Sequence, residues 1–202
     1  EEFGADGVRF GMLSCSPAGG DLLYDDKLVE QGRNFSNKIW NALRLVDGWE
    51  IDSNLKTSEG ETIAFQWMQH KLTALAVDID KNFKEYRLSE ALISIYSFVW
   101  TDFCSWYLEM VKPGFGEKMA TQTKENTIEL FSQICSLMHP FMPFITEEIW
   151  HALRERAEGN DCILSSYPKP GSFDQTIIDR VEQAKDIITN IRDIRNKNGI
   201  KM

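Results

Sequence analysis

The chain lacks the features of a membrane or secreted protein. No apolar run approaches the ~20 residues that a membrane-spanning helix needs. The N-terminus (EEFGADGVRF) has no basic segment followed by an apolar one, so no secretory signal is predicted. Hydrophobic residues make up 43% and charged residues 26% of the sequence, which is typical of a soluble globular protein. We therefore expect a cytoplasmic protein without a membrane partner.

Basic residues are in short supply. Lys and Arg total 22 against 31 Asp and Glu, so the net charge of the 202 residues is −9. A protein that coats nucleic acid non-specifically needs clustered Lys and Arg to neutralise phosphates. The charge balance argues against such a protein and favours a helical protein-interaction module, but it does not exclude a local basic face.

Sequence motifs of catalysis and metal binding are also missing, since there is no P-loop, no GxGxxG and no GxSxG. The four cysteines fit neither a metal knuckle nor a redox pair, and we predict reduced core thiols. His139 precedes a proline and is expected to cap or pack rather than to bind metal. Glu147 and Glu148 point about 100° apart on a helix, so we interpret them as helix N-terminal charge and not as a catalytic pair.

Apolar residues recur at helical spacing along most of the chain, which predicts an all-α helical bundle. Residues 1–24 are predicted to be largely irregular, with a loop at SPAGGD (Ser16 to Asp21), and residues 162–165 to be a short extended piece. The predicted helices run from about Asp25 to Asp47, Thr62 to Tyr86, Leu88 to Val111 and Glu117 to Met138, then from Pro143, and finally from a capping box at Ser172.

One face of the first long helix is rich in asparagine. Four polar residues at i, i+3, i+4 and i+7 share this face, namely Asn34, Asn37, Lys38 and Asn41. Asparagine is a poor helix former, so propensity does not explain the pattern. Two explanations stay open. The asparagines bond neighbouring loop backbone, or they form a donor-rich surface for nucleic acid with charge from Arg33, Lys38 and Arg44.

Two segments about 100 residues apart carry a resemblance to a known family. They are GRNFSNKIWNALR (Gly32 to Arg44) and MHPFMPFITEEIW (Met138 to Trp150). Together with DFCSWYLE (Asp102 to Glu109), they resemble the class Ia valyl-tRNA synthetases, from the segment after the KMSKS loop through the anticodon-binding bundle. The second motif is shared with leucyl and isoleucyl enzymes. The equivalent domain of one of those is therefore the alternative within the class, which DFCSWYLE disfavours.

The resemblance implies a helical bundle of the class Ia anticodon-binding type, cut from a longer enzyme. Residues 1–24 would end a stem-contact segment, 25–173 form the anticodon-binding bundle, and 174–202 lead towards a C-terminal coiled coil. The implied partners are the anticodon arm of tRNA(Val) and the catalytic domain and coiled coil of the same chain. The parent enzyme, expected to be a monomer, would attach valine to tRNA(Val) with ATP and magnesium. This chain itself would hold no active site and no cofactor.

The resemblance also indicates where tRNA would bind, because single-stranded loop bases are read by hydrogen bonds and stacking. Carried over by motif, the predicted tRNA-binding residues are Lys27, Arg33, Asn34, Asn37, Lys38, Asn41, Arg44 and Leu45. Leu45 stands where many family members have an aromatic residue. Stacking is worth ~1–3 kcal/mol per base, so apolar contact or another ring has to replace it.

Two further sets have both a functional and a structural interpretation. Arg154 and Arg156 end the fifth helix and either touch the anticodon stem or neutralise the helix C-terminus, and the second is favoured. Four aromatic residues form either a stacking platform or part of the core, and the core is favoured. They are Trp100, Phe103, Trp106 and Tyr107.

Overall fold

The computed structural model describes residues 2–16, 21 and 24–200. Within those residues the chain is an all-α bundle around one hydrophobic core, which confirms the predicted fold class. The α-helices are Gly4–Ser14 (α1), Asp26–Asp47 (α2), Glu59–Lys84 (α3), Leu88–Ser97 (α4), Leu108–Val111 (α5), Thr121–Met138 (α6), Pro143–Leu153 (α7) and Gln175–Lys197 (α8). Two-residue strands, β1 (Ile51–Asp52) and β2 (Met119–Ala120), pair in parallel.

Helix α2 lies where its apolar stripe predicts it. The Asp25 carboxylate accepts a hydrogen bond from the Lys27 N–H at 2.9 Å, which satisfies one unpaired donor at the N-terminus. Phe35, Ile39 and their neighbours on the same stripe are buried in the core. The helix ends at Gly48, as predicted.

The glycine content predicted irregular structure for the first residues, and this prediction is wrong. They form α1, which packs closely against α2. A Cβ atom on Gly11 would lie 2.5 Å from Val29 Cγ2, and one on Gly32 would lie 2.7 Å from Phe10 Cβ. Glycine is a poor helix former, but here its missing side chain allows the two helices to approach. Packing therefore overrides propensity. Most of the predicted SPAGGD loop, residues 17–20, lies outside the described residues.

Helix α1 also holds the segment that precedes α7. The Asp6 carboxylate accepts hydrogen bonds from the N–H groups of Phe144 (3.3 Å) and Ile145 (2.6 Å). Arg9 donates to the carbonyls of Pro140 and Phe141 at 2.8 and 3.0 Å. A buried carboxylate from α1 thus caps the N-terminus of α7, a role that the sequence analysis gave to Glu147 and Glu148.

The predicted helix over Leu88 to Val111 is helical throughout but changes its winding. Between α4 and α5, residues Phe98–Tyr107 form a π-helix, whose i→i+5 hydrogen bonds widen the turn. Phe103 and Tyr107 are buried there, so the core interpretation of these two rings is confirmed. Hydrophobic spacing alone predicted a helix here but not its type.

Other element boundaries differ from the sequence predictions by a few residues. Helix α3 begins at Glu59, after a capping box formed by Ser58 and Glu61, rather than at Thr62. Helix α6 begins at Thr121 rather than near Glu117. Residues Cys162–Leu164 form a 3-10 helix and not an extended piece. Helix α8 begins after Asp174, whose carboxylate accepts from the Thr176 N–H, so the predicted cap at Ser172 is wrong.

Helix α8 is fastened by charge as well as by apolar contact. The buried Lys185 ammonium lies 2.8 Å from the Asp102 carboxylate of the π-helix and 2.8 Å from Glu182. Lys71 of α3 completes the cluster at 2.6 Å from Asp102 and 3.0 Å from Glu182. The predicted apolar stripe of α8 is only partly buried, because Ile188 and Ile191 are exposed.

Cysteine and histidine side chains near the core have structural roles. All four cysteines are free thiols. Burial raises the pKa of Cys104 to about 12 and that of Cys135 well above its usual value, so both thiols stay protonated at neutral pH. His139 Nδ1 lies 2.8 Å from the Thr146 hydroxyl at the start of α7. No helix of the described residues is both long and apolar enough to span a bilayer.

Candidate nucleic-acid interface

The asparagines of α2 face solvent without a protein partner. Asn34, Asn37 and Asn41 are exposed, and within the described part of the chain none of their side chains makes a hydrogen bond. The alternative that they bond neighbouring loop backbone is therefore not observed. Each side-chain amide is therefore free to donate hydrogen bonds through its NH₂ group and to accept them at its oxygen.

The four cations predicted to contact tRNA have two kinds of environment. Lys27 and Arg44 are exposed, and neither forms an ion pair with the residues that the structure describes. Arg33 is half-exposed, pairs with Glu30 at 3.2 Å and lies 5.4 Å from the centre of the Phe3 ring. Lys38 lies 4.9 Å from the centre of the Trp100 ring and 3.4 Å from the Ser105 hydroxyl. Arg44 and Lys27 are thus the cations most available to a phosphate.

The π-helix contacts the middle of the polar face of α2 at Lys38. The Ser105 hydroxyl donates to the Trp100 carbonyl at 2.9 Å, a five-residue separation that matches π-helical winding. The Lys38 ammonium rests on the resulting surface, over Trp100 and beside Ser105. Trp100 is therefore occupied by a cation and by Tyr96, whose ring stacks on it at 5.5 Å, and it is not open to a base.

An exposed tryptophan lies on the same face of α2 and was missed by the sequence analysis. Trp40 is 40% exposed and makes no ring contact within the described part of the chain. It follows Asn37 by three residues and precedes Arg44 by four, so it is a neighbour of both on the helix surface. The spacing is visible in the sequence, but the exposure of the Trp40 ring is not. Leu45, also exposed, lies four residues after Asn41.

The far end of α2 is anchored so that this face keeps its position. Lys124 of α6 donates to the carbonyls of Asp47 and Trp49 at 3.2 and 2.8 Å, which satisfies acceptors left open at the helix C-terminus. Trp49 itself is buried. Together with the close packing against α1, these contacts hold both ends of a helix about 33 Å long.

Arg156 has the structural role that the sequence analysis favoured for it. Its Nε donates to the Trp150 carbonyl at 2.9 Å near the C-terminus of α7, and its guanidinium lies 3.6 Å from the centre of the Trp150 ring. In the part of the chain that the structure describes, Arg154 makes no such bond. Its nearest carboxylates are Glu125 and Glu129, at 3.9 and 3.8 Å.

A cluster of possible metal ligands was also missed by the sequence analysis. Ligand atoms of Glu147, His151 and Asp161 all lie within 4.8 Å of one another. The Glu147 carboxylate also accepts from the N–H groups of Cys162 (2.6 Å) and Ile163 (3.3 Å), so it caps the 3-10 helix. His151 bridges Glu147 and Asp161 at 3.3 and 3.1 Å. Hydrogen bonding within the protein accounts for this arrangement without an ion.

Comparison with known proteins identifies similar sequences. Residues 66–202 match the family described as the anticodon-binding domain of tRNA ligase. The whole chain is similar to proteins named valine–tRNA ligase, with 45% identity over 99% of the chain in Parabacteroides distasonis and 46% over 99% in Porphyromonas gingivalis. The protein of that name from Zymomonas mobilis is 34% identical over 98% of the chain.

The family match covers less of the chain than the matches to individual proteins do. The chain spans 23% of the length of each of these relatives, so it corresponds to about a quarter of such a protein. The family match begins within α3, and α2 with its polar face precedes it. The longer relatives do cover α2, because they align with nearly the whole chain.

Proposed function

This chain belongs to the family of anticodon-binding domains of tRNA ligases, and we propose that it binds the anticodon arm of tRNA(Val) through the polar face of α2. One observation carries the proposal. Three asparagines that disfavour a helix are exposed on one face, beside an exposed arginine and an exposed tryptophan, and neither the asparagines nor the arginine has a side-chain partner among the described residues. Side chains of these kinds read unpaired bases through their edges and rings.

Each group on the face has a distinct part in the proposed recognition. Asn34, Asn37 and Asn41 offer both donors and acceptors to base edges. Arg44 binds a phosphate or a base edge with two parallel hydrogen bonds, and Lys27 adds charge near the start of the helix. Trp40 stacks on a base, which replaces the aromatic side chain that many family members carry where this chain has Leu45.

Arg33 and Lys38 are predicted to contribute less than the sequence suggested. Arg33 already has Glu30 and Phe3 as neighbours, and Lys38 already lies over Trp100. Both retain their charge, so they attract phosphates at longer range. Binding through so few cations is expected to weaken with salt but to depend strongly on the bases.

The activity proposed for the longer protein is that of a valine–tRNA ligase. It would use ATP and magnesium to attach valine to tRNA(Val), as a monomer in the cytoplasm. The chain described here would position the tRNA, together with a catalytic domain and a C-terminal coiled coil elsewhere in the same polypeptide. Its helical fold and its likeness to proteins named valine–tRNA ligase support this proposal over an interaction module or a leucyl or isoleucyl enzyme.

Replacing Asn41 with alanine separates binding from stability. Alanine is the better helix former by up to ~0.7 kcal/mol, so Asn41→Ala is expected to raise the free energy of unfolding slightly. The same change removes base contacts and is expected to weaken binding of a fluorescent tRNA(Val) anticodon stem-loop about tenfold, as for the loss of one or two hydrogen bonds.

Asn190 is the matched control, because it is exposed on α8 and its side chain has no partner within residues 2–16, 21 and 24–200. Asn190→Ala is expected to give the same small gain in stability with no change in affinity. If Asn41→Ala binds the stem-loop as tightly as the unmodified chain does, the asparagine face does not read the anticodon.

A further inference from the structure

A small polar cavity lies on another part of the bundle, between α6, the end of α7 and the segment after the 3-10 helix. Its volume is about 190 Å³, many times the roughly 10–15 Å³ that one water molecule requires. Its lining includes four serines, two arginines and one carboxylate, namely Ser132, Ser136, Ser165, Ser166, Arg154, Arg156 and Glu129. The hydroxyl groups of Ser132, Ser136 and Ser165 already donate to or bond with neighbouring groups of the protein, so the donors that face a ligand are the two guanidinium groups and the Ser166 hydroxyl.

Arg156 is fixed in position at the wall of this cavity. Its guanidinium stacks on Trp150 at 3.6 Å and donates to the Trp150 carbonyl and, at 3.2 Å, to the Ser132 hydroxyl. Two of its nitrogens are used in this way, and its other N–H groups stay available. A guanidinium held by packing loses little conformational entropy when it binds a further acceptor.

Arg154 supplies the second guanidinium, and among the described residues its acceptors are two glutamates near the outer limit of an ion pair. Its distances of 3.8 and 3.9 Å to Glu129 and Glu125 are too long for charge-assisted hydrogen bonds. Glu129 is also bonded by Gln133 at 3.2 Å. Burial and then the positive charge of Arg154 lower the pKa of Arg156, and the Glu129 carboxylate opposes this shift without reversing it. The repulsion between the two guanidinium groups is therefore only partly offset by the long ion pairs of Arg154.

We propose that this cavity binds a phosphate group of the RNA backbone, with Arg154 as the principal ligand and Arg156 and the Ser166 hydroxyl beside it. Two phosphate oxygens accept parallel hydrogen bonds from one guanidinium, and the phosphate charge would offset the repulsion between Arg154 and Arg156. The inference rests on the proposed tRNA binding and adds a contact, outside α2, that carries no base information. It positions the tRNA on the bundle while the α2 face reads the loop.

The test is the variant Arg154→Gln in the 202-residue chain, measured with the tRNA(Val) anticodon stem-loop over a range of salt concentrations. The dissociation constant is expected to rise about tenfold, by the same factor for the original and for a changed anticodon. The slope of log affinity against log salt is expected to fall in magnitude by about 0.9, the value for one phosphate contact.

Arg87→Gln is the control, because Arg87 also pairs with a surface glutamate, at 3.2 Å from Glu85, but lies in the turn between α3 and α4. It is expected to leave both quantities unchanged. If Arg154→Gln also leaves them unchanged while Asn41→Ala weakens binding, the phosphate site is wrong and the proposed function stands. If the unmodified chain does not bind the stem-loop, the proposed function fails first, and the backbone contact with it.

Inorganic phosphate distinguishes the source of the group. The Trp150 indole N–H, which donates to the Asn160 carbonyl at 2.8 Å, reports on the cavity wall in an NMR titration. We expect a saturable shift that Arg154→Gln abolishes and that the stem-loop competes away. A shift that persists in Arg154→Gln contradicts the site, and one that the stem-loop does not displace assigns the cavity to free phosphate and contradicts the RNA contact.

Discussion

Trp40 is the residue on which the candidate face most depends. An exposed tryptophan on a helix has a free energy cost of hydration that a stacked base would remove. On α2 it lies beside Asn37 and Arg44, so that one base can contact a ring, an amide and a guanidinium. The asparagines beside it are similarly costly to the isolated helix, because each disfavours helical structure. Unfavourable residues that share one exposed face are best explained by a ligand.

Removing the Trp40 ring tests whether the ring stacks on a base. Trp40→Ala is expected to weaken stem-loop binding by ~1–3 kcal/mol, or about 5- to 150-fold, because stacking on one base is lost. Leu45→Ala, at a similarly exposed position on the same helix, is expected to cost less than about threefold, since the leucine offers only apolar contact. Fluorescence anisotropy measures both. Equal losses in the two variants would show that the ring does not stack.

At the element scale, the attachment of α8 depends on a cluster of four charges in addition to its partly buried apolar stripe. Lys185 and Asp102 are buried, and Lys71 and Glu182 complete an alternating cluster. The Trp67 and Trp106 rings lie 5.0 and 5.4 Å from the Lys185 ammonium and shield it from water. An isolated buried ion pair is costly to break, because the remaining charge keeps no partner.

Lys185→Met is therefore expected to lower the free energy of unfolding by about 1–3 kcal/mol, less than for an isolated buried pair because Lys71 still neutralises Asp102. Lys84→Met is the control, since Lys84 lies just as close to Asp80, at 2.6 Å, but is exposed. Its effect is expected to stay within about 0.5 kcal/mol. Urea denaturation measures both, and equal effects would contradict the role of burial.

The same cluster sets a pH dependence. Burial alone would raise the pKa of Glu182, but hydrogen bonds from Lys185 and Lys71 lower it on balance. Glu182 therefore adds to the free energy of unfolding above about pH 4.3, and this stabilisation is lost as the pH falls further. Burial alone would lower the pKa of Lys71, but Asp102 and Glu182 raise it on balance. Lys71 therefore adds to the free energy of unfolding below about pH 10.4, and this stabilisation is lost at higher pH. Lys185→Met should reduce the acid-side loss.

At the scale of the whole molecule, the sequence predicted the bundle because apolar periodicity marks its helices. Helix α2 agrees within one residue, since its stripe and the Asp25 cap act locally. Helix α1 was missed because its stability comes from the close approach of Gly11 to Val29, which only the folded chain contains. The π-helix was missed because apolar spacing does not distinguish winding types.

The candidate site was predictable to a similar extent. The polar face of α2 follows from the spacing of its asparagines, and their exposure agrees with it. What the sequence did not show is which cations are already engaged, because the partners Phe3 and Trp100 come from other elements. The cavity beside Arg154 is formed by residues from three segments, so no local sequence motif predicts it.

In the longer protein, the role proposed for Arg44 has a kinetic consequence. Arg44→Ala is expected to reduce kcat/KM for charging tRNA(Val) about tenfold or more, because a charged hydrogen bond to the tRNA is lost. Valine-dependent pyrophosphate exchange, which needs no tRNA, should stay near normal. An equal fall in exchange would mean that Arg44 supports the fold or the catalytic domain instead.

The most direct test of the account is binding of this chain to the tRNA(Val) anticodon stem-loop, compared with the same stem-loop carrying a changed anticodon, at low and at moderate salt. We expect tighter binding to the original anticodon at both salt concentrations, with affinity for both RNAs falling as salt rises. No binding, or equal binding to the two stem-loops, would contradict the claim that the polar face of α2 reads the anticodon.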